Sequence, residues 1–289
     1  MRSALFVPGD SERKQTKALD SDADALFLDL EDSVALDAKR ATRAQVADFL
    51  ATATHTRPAL WVRINALDSG LADDDLAAIV RHAPAGIVLP KAEHGNDVTD
   101  LDARLRVHEA EAGLPDGGIA ITAIVTETAI GVLNTGTYYR ASRRLFAMTW
   151  GAEDLSADLG TLRQRDEHGR YTDVFRHART QCLIGAIAAG AAPLDTVFPN
   201  FGDMEAFEAE CAEAAADGFT GKMAIHPAQV PVINAAFTPS AAVLERAQAI
   251  VAAFAKSDEA GVIAVDGEML DKPHLKKAEQ LLARAARYT

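Results

Sequence analysis

The fold of this chain is decided by two stretches, Ile119-Ala-Ile-Thr-Ala-Ile-Val-Thr-Glu127 and Leu145-Phe-Ala-Met-Thr-Trp-Gly-Ala-Glu-Asp154. Each begins with a short apolar run that is typical of a buried strand, and each ends on a carboxylate. Neither Glu127 nor Asp154 has a lysine or arginine beside it in the sequence. Two such acids at the ends of successive buried strands favour the binding of a hard cation.

Apolar runs alternate with helical patterns along the whole chain of 289 residues. Eight of these runs predict strands: Leu5–Val7, Ala25–Leu30, Leu60–Ile64, Gly86–Leu89, Ile119–Val125, Leu145–Trp150, Thr196–Phe198 and Met223–Ile225. A strand followed by a helix, repeated in this way, predicts an α/β fold, the (β/α)8 TIM barrel. An open doubly wound sheet is the nearest alternative. It would normally carry a Gly-rich nucleotide turn, and the chain has no G-x-G-x-x-G or G-K-[ST] pattern.

The predicted barrel domain covers residues 1–238, and residues 239–289 form a C-terminal extension. Helical patterns over Ser240–Ala255 and Lys272–Arg287 flank the segment Ala260–Leu270, which contains two glycines. Such a segment predicts a mobile loop, so we expect the extension to be a helix, a lid and a second helix.

Composition and charge restrict the partners of this protein. A formal net charge of −13 argues against nucleic acid and anionic membrane surfaces. An anionic small molecule is not excluded, because basic side chains and helix N-termini can hold it locally. No apolar run is long enough to span a bilayer, and the N-terminus lacks the pattern of a signal peptide. Cys182 and Cys211 lie in Ala-rich helical stretches, where we expect buried thiols and therefore a cytoplasmic location.

Polar residues follow the predicted strands, at the end where a TIM barrel builds its active site. In chain order they are Asp29, Glu31, Asp32, Arg63, Asn65, Lys91, Glu127, Asp154, Asn200 and His226. Taken alone, Glu127 also fits the first turn of a helix, and Asp154 with Ser156 also fits an N-cap. Their convergence with Arg63 and with the acids after the second strand favours one site over two separate helix starts.

Other kinds of site are disfavoured. The histidines lack ligand spacing and no C-x-x-C occurs, so we do not expect zinc, and His226 is expected to shape a turn. Lys91 is a candidate for an imine-forming lysine. The carboxylate pair favours metal chemistry instead, and we expect Lys91 to pair with an acid.

Several motifs occur in a fixed order. They are Phe6-Val-Pro-Gly9, Leu28-Asp-Leu-Glu-Asp-Ser-Val34, Val62-Arg-Ile-Asn65, Leu89-Pro-Lys91, Glu127-Thr-Ala, Gly151-Ala-Glu-Asp-Leu-Ser156, Gly221-Lys-Met-Ala-Ile-His-Pro227 and Met269-Leu-Asp271. With these motifs the chain resembles the citrate lyase β-subunit-like family, which groups with malyl-CoA and citramalyl-CoA lyases in the HpcH/HpaI aldolase superfamily. The resemblance covers essentially the whole chain.

The resemblance implies a Mg²⁺-dependent lyase that acts on thioesters of 3-hydroxy acids and assembles as a homotrimer or a larger homo-oligomer. Glu127 and Asp154 match the metal ligands of that family. Arg63 matches the arginine that binds the carboxylate of the oxo acid or the thioester oxygen.

The resemblance also implies contacts with coenzyme A and with a neighbouring subunit. Phe6 and Lys17 match positions that contact CoA. Arg13 is a further candidate, because this chain has Ser11 where the family often has a basic residue. Asp271 matches an aspartate that the C-terminal segment of the family places over the active site of a neighbouring subunit; a cap of the last helix is its alternative.

These residues predict retro-aldol cleavage of a malyl-, citramalyl- or citryl-CoA type thioester into an acyl-CoA and a 2-oxo acid such as oxaloacetate. Mg²⁺ on Glu127 and Asp154 would polarise the developing carbonyl, and Arg63 would stabilise the enolate. Asp271 is our candidate for protonating the enolate carbon. Glu31 is expected to orient Arg63 or a metal-bound water, or to take part in proton transfer with a raised pKa.

Four alternatives stay open at this point. The first is an aldolase that acts on free 4-hydroxy-2-oxo acids without CoA. The second is a malate-synthase-like condensing enzyme that also hydrolyses the thioester. The third is a citrate lyase β subunit that acts on a citryl-carrier protein, and the fourth is a non-catalytic metabolite-binding subunit.

Overall fold

Eight parallel strands close into a barrel, in which each strand pairs with the next along the chain and the last pairs with the first. The computed structural model describes residues 1–53, 57–256, 262–265 and 268–286. The barrel strands are β1 Ser3–Pro8, β2 Ala25–Asp29, β3 Ala59–Arg63, β4 Gly86–Leu89, β5 Ala120–Ile124, β6 Leu145–Thr149, β7 Ala192–Asp195 and β8 Gly221–Ala224. The predicted TIM barrel is confirmed.

Helices follow the strands in the order that the sequence pattern predicts. They are α1 Glu12–Leu19, α2 Lys39–Thr52, α3 Ala72–Ile79, α4 Gly95–Ala112, α5 Ala129–Leu133, α6 Ala152–Leu159, α7 Asp173–Ala189, α8 Met204–Asp217, α9 Gln229–Phe237, α10 Ala241–Ala255 and α11 Lys272–Ala285. The bounds of α4 have a local cause. His94 and Asp97 form a capping box at its start, and Gly113 ends it with φ of 70°, a left-handed conformation that favours glycine.

Large apolar side chains fill the interior of the barrel. Phe27 and Trp61 lie near its centre, with ring centroids 6.0 Å apart. Gly86 makes room for the indole, since a Cβ there would lie 2.1 Å from Trp61 Cζ3. Because the interior is occupied by hydrocarbon, a site for polar ligands can form only at the strand ends, where Asp29 and Arg63 lie.

The predicted position of the seventh strand, Thr196–Phe198, is wrong, because the strand lies at Ala192–Asp195. Its sequence, Ala-Pro-Leu-Asp, contains a proline and an acid, neither of which is typical of a buried strand. The acid is tolerated because Asp195 accepts hydrogen bonds of 2.7 Å each from Lys222 Nζ and Trp150 Nε1. A buried ion pair therefore replaces the apolar pattern on which the prediction relied.

The chain divides into two compact units, Met1–Asn234 and Ala235–Thr289. The first contains the barrel, and the division lies slightly before the predicted boundary after residue 238. In the second, α10 contacts α11. Among the described residues, no helix is long and apolar enough to cross a membrane.

The second unit also contains an antiparallel pair of strands, β9 Val262–Val265 and β10 Glu268–Asp271. The prediction of a mobile loop over Ala260–Leu270 is therefore wrong for the part of that segment that the structure describes. Its apolar residues lie in two short runs that pair with each other. Gly261 and Gly267, on which the loop prediction relied, lie outside the described residues.

Cys182 and Cys211 are buried free thiols, as predicted. Burial raises the pKa of Cys182, and it raises the pKa of Cys211 to about 12. Neither thiol is therefore a nucleophile at neutral pH, since the thiolate is the reactive form.

Candidate active site

A cavity of about 330 Å³ opens among the carboxyl ends of the barrel strands. Five of the eight strands, β1, β2, β3, β5 and β8, contribute residues to its wall, and the segments that directly follow β6 and β7 contribute others. The charged residues of the wall are Asp29, Asp32, Arg63, Glu127, Glu153 and Asp154. The structure thus brings Arg63, Glu127 and Asp154 to one cavity together with acids from the loop after β2.

Arg63 is the last residue of β3 and is held from several sides. Its Nε and Nη2 donate to the two carboxylate oxygens of Asp29, each at 2.7 Å. Its Nη1 lies 3.0 Å from Glu31 Oε2, and its Cζ lies 4.9 Å from the centroid of the Phe6 ring. Burial alone would raise the pKa of Asp29, but the hydrogen bonds and the charge of Arg63 lower it below its ordinary value. The guanidinium is therefore a fixed cation beside the cavity.

Glu127 lies just before α5, whose N-cap is Thr128, so it is outside the helix that its alternative interpretation required. Its side chain is buried, and Oε2 accepts a hydrogen bond from the backbone N–H of Lys91. Gly151 allows this arrangement, since a Cβ there would lie 2.6 Å from Glu127 Cγ. Burial, followed by the charge of Asp154, raises the pKa of Glu127 to about 8. The charge of Arg63 and the N–H of Lys91 offset this rise only in part.

Asp154 is the third residue of α6 and belongs to its first turn. The N-cap of that helix is Gly151, so the alternative interpretation of Asp154 as an N-cap does not apply, although a carboxylate in the first turn still interacts favourably with the helix dipole. The Asp154 side chain lines the cavity and is 34% exposed, and Oδ1 lies 3.6 Å from Lys91 Nζ. It is therefore available to a ligand in the cavity.

Lys91 pairs with acids, as predicted. Its Nζ donates to Glu31 Oε1 and lies 3.2 Å from Asp32 Oδ1. Burial raises the pKa of Glu31, and the nearby charges of Arg63 and Lys91 offset part of this rise. Lys39, which the sequence did not single out, donates to the carbonyl oxygens of Leu30 (2.8 Å) and Glu31 (2.6 Å) and fixes the backbone of this loop.

Four predicted site residues are not part of the cavity wall, and one of them, Glu31, contacts the wall residue Arg63. Arg13 and Lys17 are exposed on α1, four positions apart. Asp271 belongs to the second unit and is the N-cap of α11, with His274 Nδ1 2.6 Å from its Oδ1. The capping alternative for Asp271 therefore describes its local structure.

Other residues after strands serve local structure. Asn65 is buried and donates through Nδ2 to Asp75 Oδ2 at 2.6 Å. Asn200 is exposed outside the cavity. His226 Nδ1 accepts a hydrogen bond of 3.2 Å from Ala228 N, as expected for a residue that shapes a turn.

Thr196 was not identified as a site residue, because the predicted seventh strand began at this position. It directly follows β7, is fully buried and lines the cavity. Its hydroxyl has no hydrogen-bond partner within the described part of the chain. A correct position for β7 would have identified it as a strand-end residue.

Glu127 and Asp154 fit a hard cation by their chemistry. Among the described residues, no group of three or more His, Cys, Asp or Glu side chains could hold a metal ion. Mg²⁺ needs only one or two carboxylates, because waters and substrate oxygens complete its octahedron. A cation would also relieve the repulsion that raises the pKa of Glu127.

Curated relatives match the chain over nearly its whole length. It is 34% identical over 286 residues to citrate lyase subunit beta of Leuconostoc mesenteroides subsp. cremoris, and the alignment covers 98% of this chain and 93% of that protein. It is 36% identical over 287 residues to (3S)-malyl-CoA thioesterase of Cereibacter sphaeroides, and the alignment covers 98% of this chain and 94% of that protein.

A solved structure shares the fold. The crystal structure of protein CitE from Mycobacterium tuberculosis in complex with magnesium, acetoacetate and coenzyme A superposes with a TM-score of 0.80 at 35% identity. The superposition covers 99% of this chain and 98% of that one. Residues 2–227 match the family described as HpcH/HpaI aldolase/citrate lyase. The predicted family is therefore confirmed, and the chain belongs to the HpcH/HpaI aldolase/citrate lyase family.

Proposed function

We propose that this protein is a Mg²⁺-dependent carbon–carbon lyase that cleaves a 3-hydroxyacyl thioester to an acyl-CoA and a 2-oxo acid. One observation carries the proposal: a fixed arginine, Arg63, and two carboxylates, Glu127 and Asp154, line the same cavity. The M. tuberculosis relative supports it, because that protein binds magnesium, acetoacetate and coenzyme A.

Glu127 and Asp154 would hold Mg²⁺. When bound, the cation supplies Lewis-acid polarisation of the substrate oxygens. Glu127 is kept in place by the N–H of Lys91 and by its close approach to Gly151. Asp154 is more exposed, so it can follow the position of the cation.

Retro-aldol cleavage moves two protons and two electron pairs. A base takes the proton of the substrate hydroxyl, and the O–H electron pair forms the carbonyl of the 2-oxo acid. The bond between the carbinol carbon and the α-carbon of the thioester breaks, and its electron pair forms a thioester enolate. The enolate then takes a proton at carbon. Arg63 offers its charge to the enolate oxygen or to the substrate carboxylate, and Asp29 and Glu31 keep it oriented.

We propose that the CoA moiety contacts Phe6, Arg13 and Lys17. Phe6 lies at the cavity wall, where its ring covers the Arg63 guanidinium. Arg13 and Lys17 lie on α1, which follows β1 and so begins at the same end of the barrel. Exposed cations on this helix favour the phosphates of CoA.

We propose that Asp271, supplied by a neighbouring subunit of a homotrimer, protonates the enolate carbon. Asp271→Asn is expected to lower cleavage by roughly 100-fold or more while Mg²⁺ and oxo-acid binding persist. Oligomers that mix Arg63→Ala chains with Asp271→Asn chains should regain activity, since some sites then combine the intact residue of each. Absence of any recovery would argue against a shared site.

The deciding experiment is an assay of the purified protein with Mg²⁺ against malyl-, methylmalyl-, citramalyl- and citryl-CoA, with detection of both products. We expect a 2-oxo acid and an acyl-CoA from one of these esters, and no cleavage after removal of Mg²⁺ with EDTA. Cleavage that persists after removal of the metal, or no 2-oxo acid from any ester, contradicts the proposal.

Thioester hydrolysis is the second candidate, because one relative, at 36% identity, is a (3S)-malyl-CoA thioesterase. Hydrolysis would release free CoA and an intact hydroxy acid without a 2-oxo acid. The same assay therefore separates the two functions by their products.

A further inference from the structure

Lys91 combines two unusual features beside the candidate metal site. It is a non-glycine residue with φ of +49°, in the left-handed region that most side chains avoid. In this conformation its backbone N–H points to Glu127 and donates to Oε2. A strained backbone at one residue therefore fixes the orientation of a proposed metal ligand.

The side chain of Lys91 faces three carboxylates that come from two different parts of the barrel. Its Nζ binds Glu31 Oε1, lies 3.2 Å from Asp32 Oδ1 and lies 3.6 Å from Asp154 Oδ1. Glu31 and Asp32 follow β2, whereas Asp154 belongs to α6. The ammonium thus stands between the loop acids and the second proposed metal ligand.

We propose that Lys91 is a positioning residue that acts as an internal counter-cation and weakens the binding of the divalent cation. This inference rests on the proposed function for the metal pair and assigns control of its affinity to a residue outside that pair. A positive charge close to Asp154 repels a second cation at that oxygen. The ammonium also holds Glu31 and Asp32, whose other cationic partner is Arg63. Without the ammonium, these two acids are less restrained and can compete for the metal and for positions that the substrate needs.

The test is a calorimetric titration of Mg²⁺ into metal-free protein. Lys91→Met removes the ammonium and keeps an unbranched side chain that is one atom shorter, and we expect it to bind Mg²⁺ about tenfold more tightly than the wild type. Turnover at saturating Mg²⁺ should fall, because the loop acids then compete with substrate. Lys91→Arg keeps the charge and should retain wild-type affinity within about threefold, with partial recovery of turnover.

Lys91→Gly separates the backbone from the side chain. Glycine adopts a φ of +49° without strain and keeps the N–H that binds Glu127. It should therefore bind Mg²⁺ as tightly as Lys91→Met. If the wild type binds Mg²⁺ and both variants bind it no more tightly than the wild type, the proposed role of Lys91 is overturned and the proposed function stands. A wild-type protein that does not bind Mg²⁺ overturns both.

Discussion

Two groups of charged side chains lie in the same barrel and differ in charge balance. The mouth cluster consists of Asp29, Glu31, Asp32, Arg63, Lys91, Glu127 and Asp154, so that five carboxylates face two cations. The β7–β8 cluster consists of Arg165, Arg179, Asp195, Glu210, Asp217 and Lys222, so that three carboxylates face three cations.

The pKa values follow this balance. In the β7–β8 cluster, burial alone would raise the pKa of Asp195, but Lys222 and Arg179 hold it below its ordinary value. In the mouth cluster, burial and neighbouring acids raise the pKa of Glu127 to about 8. A cluster whose charges balance is complete, whereas a cluster with excess carboxylate has capacity for a further cation. The two clusters both border cavities, so charge balance, more than burial or access, distinguishes the candidate site from a structural network.

The largest expected effect comes from removing the excess charge of the mouth cluster. Glu127→Gln and Asp154→Asn should each lower Mg²⁺-dependent turnover by about 1,000-fold, because the Lewis acid loses a ligand. Neither change should lower the urea midpoint of the metal-free protein, since each removes repulsion between acids. Wild-type turnover in either variant would refute the assignment of the metal ligands.

Breaking the balanced cluster should affect stability instead. Lys222 is fully buried and pairs with Asp195 at 2.7 Å and Glu210 at 2.9 Å. Lys222→Met should lower the free energy of unfolding by about 3 kcal/mol, because it leaves buried carboxylates without their cation. The double variant with Asp195→Asn serves as the control and should recover part of this loss. Urea unfolding measures both, and an unchanged midpoint in the single variant would contradict the comparison.

A smaller effect concerns pH. Because Lys222 and Arg179 lower the folded pKa of Asp195, its ionised form stabilises the protein fully above the ordinary value of 3.8. This stabilisation is lost as pH falls through the lowered folded pKa. Asp195→Asn should therefore show a shallower loss of unfolding free energy than the wild type between pH 5 and pH 2 (roughly the window of this linkage). Parallel curves for the two proteins would show that Asp195 is not held in this way.

The barrel and most of its strands were predictable because they depend on local pattern. Apolar runs such as Ile119–Val125 predict buried strands, and the corresponding strand lies at Ala120–Ile124. The convergence of Arg63, Glu127 and Asp154 was also predictable, since parallel strands in a closed barrel end at one mouth.

The seventh strand and the hairpin of the second unit were not predictable in the same way. β7 carries Pro193 and Asp195, and the partner that makes Asp195 acceptable, Lys222, lies 27 positions away in the sequence. In the segment from 262 to 271, short apolar runs beside glycines favour a loop, but their antiparallel pairing forms two strands. Both errors arise from pairing between segments, which no single window of sequence contains.

The sequence by itself determined the fold class, the family and the identity of the acids at the strand ends, because hydrophobic periodicity and motif order are properties of the chain. Only the tertiary structure decided which charges face each other. Lys91 and Glu31 are 60 positions apart, and Lys91 and Glu127 are 36 apart, yet one residue binds both. Charge balance depends on distances of a few ångströms through space, and those distances exist only after the barrel has closed.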